Sequence, residues 1–174
     1  MHDNIKKRIN IAAKRQPADM VIKNCKIVNV FTHEIIEGDI AISDGKIAAV
    51  GNYSGEKEVD AEGRYALPGF INSHIHIESS FVSPEEFSRL VVPHGTTTII
   101  ADPHEIVNVC GMDGFDYMVK AGENAALNIK YMLPSCVPCT PWEHAGAVVD
   151  SKAISEVINQ DKVFGMGEVM NTVG

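Results

Sequence analysis

The sequence predicts an α/β fold: the N-terminal part of a (β/α)8 TIM barrel, about four βα units, preceded by a small β-sandwich-like subdomain. Three observations carry this prediction. β-branched residues and a hairpin signal crowd the chain up to about residue 66. After Pro68-Gly69 the pattern changes to strand, loop and helix in repetition. The apolar starts of that repetition, at Gly69, Thr96, Ile129 and Val163, recur at about thirty residues, the length each unit of a barrel of about 250 residues needs. The expected division is therefore residues 1–66, an N-terminal helix and small β subdomain, and residues 67–174, the first half of a barrel.

Each element has its own warrant. From Asn4 to about Arg15, Ile5, Ile9 and Ala12 or Ala13 stand at three-to-four spacing, and Pro17 ends the helix they imply. Val21, Ile22, Ile27, Val28 and Val30 mark a strand over Ala18 to Val30. In Asp39 to Val50, Ser43-Asp44-Gly45 lies between two short apolar runs, a hairpin signal because Gly takes positive φ freely. Glu58 to Tyr65 reads as one more strand, with a turn at Glu62-Gly63. The barrel strands are expected over Gly69 to Ile77, Thr96 to Ala101, Ile129 to Leu133 and Val163 to Met170. Ser83, Pro84 and Glu86 sign the start of the first helix as a capping box with Pro in the first position. Further helices are expected over Asp113 to Glu123 and about Ser151 to Asn159.

Composition excludes several classes. With 45% hydrophobic and 22% charged residues the chain is globular. No apolar run approaches the roughly 20 residues of a membrane helix. The opening Met-His-Asp-Asn-Ile-Lys-Lys-Arg lacks the apolar stretch of a signal peptide, so a cytoplasmic protein without membrane partners is expected. A net charge of −8 opposes a nucleic-acid partner, because such binding needs clustered cations to release counterions. Lys6, Lys7, Arg8, Lys14 and Arg15 read as the solvated face of the first helix. Cys25, Cys110, Cys136 and Cys139 are expected as reduced thiols.

The chemistry concentrates at strand ends. His74 and His76 are two apart at the end of the first barrel strand, so both imidazoles leave the same face and can meet one metal ion. The C-terminal strand ends are where barrel active sites lie. Asp102, His104 and Glu105 follow the second strand and so face the same mouth, and Glu168 ends the fourth. His94, before Gly95, suits the terminal carbonyls of a helix. His33 and His144 have weaker claims. Cys136-Val137-Pro138-Cys139 invites a zinc reading, and His76-Ile77-Glu78 reproduces the His-x-Glu of the cytidine-deaminase fold. That fold wants Pro-Cys-x-x-Cys opening a helix, whereas Ser135 separates Pro134 from Cys136, so the two cysteines read as buried or loop thiols.

The run Pro68-Gly69-Phe70-Ile71-Asn72-Ser73-His74-Ile75-His76-Ile77-Glu78-Ser79-Ser80 resembles the opening barrel strand of adenine deaminases within the amidohydrolase superfamily. His94-Gly95-Thr96-Thr97-Thr98, Ala101-Asp102-Pro103-His104-Glu105, Met132-Leu133-Pro134-Ser135-Cys136-Val137-Pro138 and Gly167-Glu168-Val169-Met170-Asn171 are similar to that family in order and spacing. The resemblance implies a divalent, binuclear centre of Mn2+ or Fe2+ with His74, His76 and Glu168 as ligands. Glu168 would bridge the two ions where many superfamily members use a carboxylated lysine. It implies catalytic or supporting roles for Asp102, His104 and Glu105, and contact of Glu78 and Ser79 with the purine or with His76; capping of a turn is the other reading of these two.

The implied activity is hydrolytic deamination of adenine to hypoxanthine and ammonia by a metal-activated hydroxide, in a protein that is a homo-oligomer in full-length form and takes the small molecule adenine as substrate. Alternatives are another amidohydrolase activity, dihydroorotase- or deacetylase-like, or a catalytically silent fragment. Glu168 opposes the first of these, since lysine is typical there. The family's remaining ligands, histidines after the fifth and sixth strands and an aspartate after the eighth, are expected beyond Gly174, so the 174 residues are expected to be inactive alone.

Overall fold

The computed structural model describes residues 2–171. They form two compact units, one ending at Pro68 and one starting at Gly69.

The first unit contains α1 (His2–Ala12), β1 (Ala18–Asn29), β2 (Glu34–Ser43), β3 (Lys46–Gly51), β4 (Gly55–Asp60) and β5 (Tyr65–Ala66). Its sheet runs β3-β2-β1-β4, with β5 also on β1. β1 pairs antiparallel with β2, Ile22 opposite Ile40 and Ile27 opposite Ile36. It pairs parallel with β4 and β5. The tight turn between β2 and β3 puts Asp44 and Gly45 at φ 51° and 69°, the positive values a two-residue hairpin demands. β2 begins at Glu34 rather than Asp39 because the long β1 partner extends the ladder through Glu37 and Gly38, residues of low strand preference. The expected strand over Glu58 to Tyr65 is instead two. Positive φ at Glu62 and Gly63 breaks it, and each half finds its own place along β1.

A polar knot holds this sheet. Asp39, nearly buried, accepts from Lys23 Nζ at 2.6 Å and from the backbone N–H groups of Asn24 and Tyr53 at 3.1 and 3.2 Å. These contacts offset the cost of burying the carboxylate and hold it below the usual range.

The second unit is the partial barrel. β6 (Phe70–Ile75), β7 (Thr96–Ala101), β8 (Asn128–Leu133) and β9 (Gly165–Met166) form a parallel sheet in chain order. Between them lie α2 (Pro84–Val91), α3 (His104–Cys110), α4 (Met112–Gly122) and α5 (Ser151–Val157), with short 3-10 turns at Ile77–Ser80 and Val92–His94. The fourth strand is much shorter than its apolar run: two residues pair with β8, and Gly167 adds one hydrogen bond to the Leu133 carbonyl at 2.7 Å. Past that point the chain turns to side-chain partners, described below. α3 is an additional helix in what reads as a loop, and Gly111 at φ 60° separates it from α4. Ser83 caps α2 by accepting from Glu86 N, but the Glu86 carboxylate pairs with Arg89 at 2.6 Å, so only half of the capping box forms. No helix of the described residues is long and apolar enough to cross a membrane.

The core of this unit gathers Ile77, Phe87, Ile99, Val107, Phe115 and Leu133. Phe115 is fully buried and meets Tyr131 edge-on at 6.4 Å, while the Tyr131 hydroxyl donates to the Met118 carbonyl at 2.6 Å. This fixes α4 over β8. Phe115→Ala is expected to destabilise the unit by about 3–5 kcal/mol, through lost transfer energy and the cavity left behind. Denaturant unfolding followed by circular dichroism checks it; a loss under about 1 kcal/mol would place the core elsewhere.

Candidate metal centre

Three strand ends bring the polar side chains together. β6 presents His74 and, one residue past its end, His76; β7 leads into Asp102 and α3; β9 leads into Glu168. In parallel strands these ends lie on one side of the sheet, so residues distant in sequence meet.

His74 Nε2 and His76 Nε2 stand 3.1 Å apart. Glu168 closes the group, with one carboxylate oxygen 3.6 Å from His74 Nε2 and the other 3.5 Å from His76 Nε2. Two ring nitrogens aimed at each other suit a shared cation. Donors each about 2.1 Å from one ion and about 90–110° apart stand about 3.0–3.4 Å from each other.

The tautomer of His76 is set from behind. Its Nδ1 lies 3.0 Å from Glu105 Oε2, and the other Glu105 oxygen accepts from Ser79 Oγ at 3.2 Å. A carboxylate that accepts a hydrogen bond from Nδ1–H leaves the Nε2 lone pair facing the group, as metal-binding histidines are usually held. Glu105 reaches this position from the first turn of α3.

Asp102 organises the other side. It is fully buried. Oδ2 accepts from the Glu168 backbone N–H at 2.8 Å, Oδ1 lies 2.7 Å from His104 Nδ1, and its own N–H donates to the Ile75 carbonyl at 2.9 Å. One residue, through its backbone N–H and its carboxylate, thus ties the ends of β6, β7 and β9 together. Burial by itself would lower the His104 pKa, but the Asp102 carboxylate and the neighbouring Cys136 thiol raise it to about 9. His104 Nε2 is buried without a hydrogen-bond partner among the described residues, an atom available to a ligand.

Gly167 makes the approach of Asp102 possible, since a Cβ there would lie 2.4 Å from Asp102 Oδ2. No spacing rule marks this glycine; the need for it appears only once β7 and β9 are side by side. Glu78 turns toward the protein, where Oε1 accepts from the Ile106 N–H at 3.3 Å near the start of α3, and burial raises its pKa despite that contact. Ser79 meets Glu105 rather than the cluster. Cys136 is the residue that sequence reasoning did not connect to this region: its sulfur accepts from the Met170 N–H at 3.3 Å and lies 3.8 Å from the Glu168 carbonyl. Burial pushes its thiol up, but the Met170 N–H, the Ser135 hydroxyl and His104 bring it below the ordinary value.

Two groups of metal-binding atoms result among the described residues, His74-His76-Glu168 and Asp102-His104-Glu168, each with its atoms within 4.8 Å of one another. They share Glu168. Imidazole and carboxylate donors with one shared carboxylate make a binuclear divalent-metal arrangement. Beside it opens a cavity of about 480 Å3 lined by His76, His104, Glu105, Cys136, Cys139 and Glu168 among others, a size usual for small-molecule pockets.

Substituting Glu105 by Gln leaves the shape but removes the charge behind His76. It is expected to weaken metal binding by about 10- to 100-fold without loss of folded structure. Titration of the full-length protein with Mn2+ by calorimetry checks this; an unchanged affinity would make the Glu105–His76 contact incidental.

A model of the amidohydrolase family matches residues 65–171. The chain is similar to adenine deaminase 2 of Desulfotalea psychrophila, 60% identical over 170 residues that make up 98% of this chain and 30% of that protein. It is 53% identical over 171 residues to the adenine deaminase of Geobacillus kaustophilus, again over 98% of this chain and 30% of that protein. The chain therefore spans about 30% of the length of these relatives. Among solved structures, atrazine chlorohydrolase TrzN from Arthrobacter aurescens TC1, complexed with zinc, superimposes with a TM-score of 0.56 at 17% identity, over 84% of this chain and 45% of that one. A β-aspartyl dipeptidase from Fervidobacterium islandicum AW-1 does so with 0.51 at 20% identity, over 88% of this chain and 42% of that one. At such identities these two likenesses concern the fold.

Proposed function

The chain belongs to the amidohydrolase family, and from that premise we propose that the full-length protein hydrolyses adenine to hypoxanthine and ammonia at a binuclear divalent-metal centre. The identity of 60% to an adenine deaminase across nearly the whole of this chain supports the substrate, and the His74-His76-Glu168 convergence supports the chemistry. Residues 67–174 contribute the first half of the catalytic barrel and residues 1–66 an accessory β domain. Manganese or iron as the ions, a cytoplasmic location and a homo-oligomeric assembly belong to the same proposal.

His74 and His76 would hold one ion, with Glu168 as the carboxylate common to both groups and His104 among the donors for a second. Divalent ions held there would acidify a bound water toward neutral pH and exert electrophilic pull on the ring. The residues of this chain do the rest. Glu105 fixes the His76 ring and its tautomer, with Ser79 steadying Glu105. Asp102 fixes the backbone of Glu168 and the position of His104 beside the cavity.

The test is ammonia release from adenine by the full-length protein, with and without prior treatment with a chelator. Activity that is lost on metal removal and restored by Mn2+ is the expected result. Full activity after exhaustive chelation, or a preference for another cyclic amide or amidine over adenine, would overturn the proposal.

A further inference from the structure

The loop after β8 carries a pair of thiols, Cys136 and Cys139, that the proposed reaction does not use. Both are free and partly exposed, and both line the cavity that also holds His76, His104 and Glu168. They stand three residues apart in one loop, beside that same cavity.

The same loop is the support of the Glu168 segment. β9 ends at Met166, so residues 168–171 have no strand partner among the described residues. They are stapled to the loop instead. Ser135 Oγ donates to the Glu168 carbonyl at 2.7 Å, the Cys136 sulfur lies 3.8 Å from that carbonyl and accepts from the Met170 N–H at 3.3 Å, and Asn171 Nδ2 donates to the Cys139 carbonyl at 2.9 Å. Two of these four contacts use one sulfur atom.

We propose that Cys136 and Cys139 are a peroxide-sensitive dithiol whose oxidation to an intrachain disulfide draws the Cys136 sulfur away from residues 168–170 and weakens metal binding at the His74-His76-Glu168 group. The effect on metal rests on the ligand assignment proposed above; formation of the disulfide does not. The oxidant is hydrogen peroxide. One thiolate attacks a peroxide oxygen, the O–O bond breaks, and a sulfenic acid forms with release of one water. The second thiol attacks that sulfur, the S–O bond breaks, the S–S bond forms, and the second water leaves with the thiol proton; two sulfurs are oxidised by two electrons and the peroxide is reduced by two. A disulfide sulfur has no S–H to donate to the Glu168 carbonyl. Its rotation toward Cys139 also leaves the Met170 N–H unpaired, so the segment carrying Glu168 loses both of these contacts with the sulfur.

The experiment uses the full-length protein loaded with Mn2+, treated with hydrogen peroxide, then with dithiothreitol. Peptide mass mapping reads the disulfide, and elemental analysis after gel filtration reads the metal. Cys139→Ala is treated in parallel, each protein being compared with its own untreated sample, and Cys110→Ser removes the exposed thiol outside the pair. The expected result is a Cys136–Cys139 peptide two hydrogens lighter and Mn2+ binding weaker by about tenfold or more, the lower end of what changes behind a ligand cause. Dithiothreitol reverses both, Cys110→Ser behaves as the parent does, and Cys139→Ala keeps its metal. No disulfide between these residues, a disulfide with metal content unchanged, or equal loss of metal from Cys139→Ala would overturn the proposal. An untreated protein that binds no Mn2+ would overturn the ligand assignment and with it the switch, while the peptide map still reads whether the dithiol closes.

Discussion

Replacing either His74 or His76 by alanine in the full-length protein is expected to remove most of the bound metal and to lower adenine deamination on the order of a thousandfold or more, since acidification of water and charge stabilisation by the ion are together worth several kcal/mol. The geometry sets the expectation. The two Nε2 atoms are 3.1 Å apart and each lies within 3.6 Å of a Glu168 oxygen, so removing one imidazole leaves the remaining two donors without a closed set. Folding is expected to survive, because both side chains sit at the open side of the sheet and neither contributes to the apolar core. Elemental analysis and ammonia release are the measurements, with circular dichroism as the check on folding. Two equivalents of metal retained by either variant would sink the ligand assignment.

Glu168→Gln is the second large effect. An amide of nearly the same shape keeps the backbone N–H that donates to Asp102, so the thermal unfolding midpoint of the metal-free protein should not move. What changes is charge: a neutral amide offers one oxygen instead of two and no longer offsets the repulsion between two cations. Metal affinity should fall by more than the about 10- to 100-fold typical of changes behind a ligand, and the stoichiometry should drop from two ions toward one. Parent-like stoichiometry and rate in Glu168→Gln would make this carboxylate a bystander.

Chain-local patterns made the barrel half legible. β7 occupies Thr96–Ala101 as its apolar run indicates, and β8 and α5 lie within a residue or two of theirs. Here successive buried residues satisfy a period that a short window reveals. The same window fails at β9, where the apolar run Val163 to Met170 becomes a two-residue strand. Gly167 must clear Asp102, and the Glu168 N–H is taken by the Asp102 carboxylate instead of a strand neighbour. It fails again at α3, since a helix starting at His104 after Pro103 depends on Glu78 accepting from the Ile106 N–H, a partner 28 residues away.

The sequence by itself determined the types of donor and their order: a His-x-His pair at one strand end, Asp-Pro-His-Glu at the next, and a glutamate at the fourth. That follows because residue chemistry and the alternation of a strand are local properties, carried by a few consecutive residues. Only the tertiary structure decided which of them touch. Glu105 stands behind His76, Asp102 ties three strand ends and buries against His104, and the Cys136 sulfur supports the Glu168 segment. Each of these contacts joins residues roughly 30 or more apart, apart from the Asp102–His104 pair, and exists because parallel strands bring their C-terminal ends side by side. Distances of that kind are set by sheet register and helix packing summed over the whole unit, which no window along the chain contains.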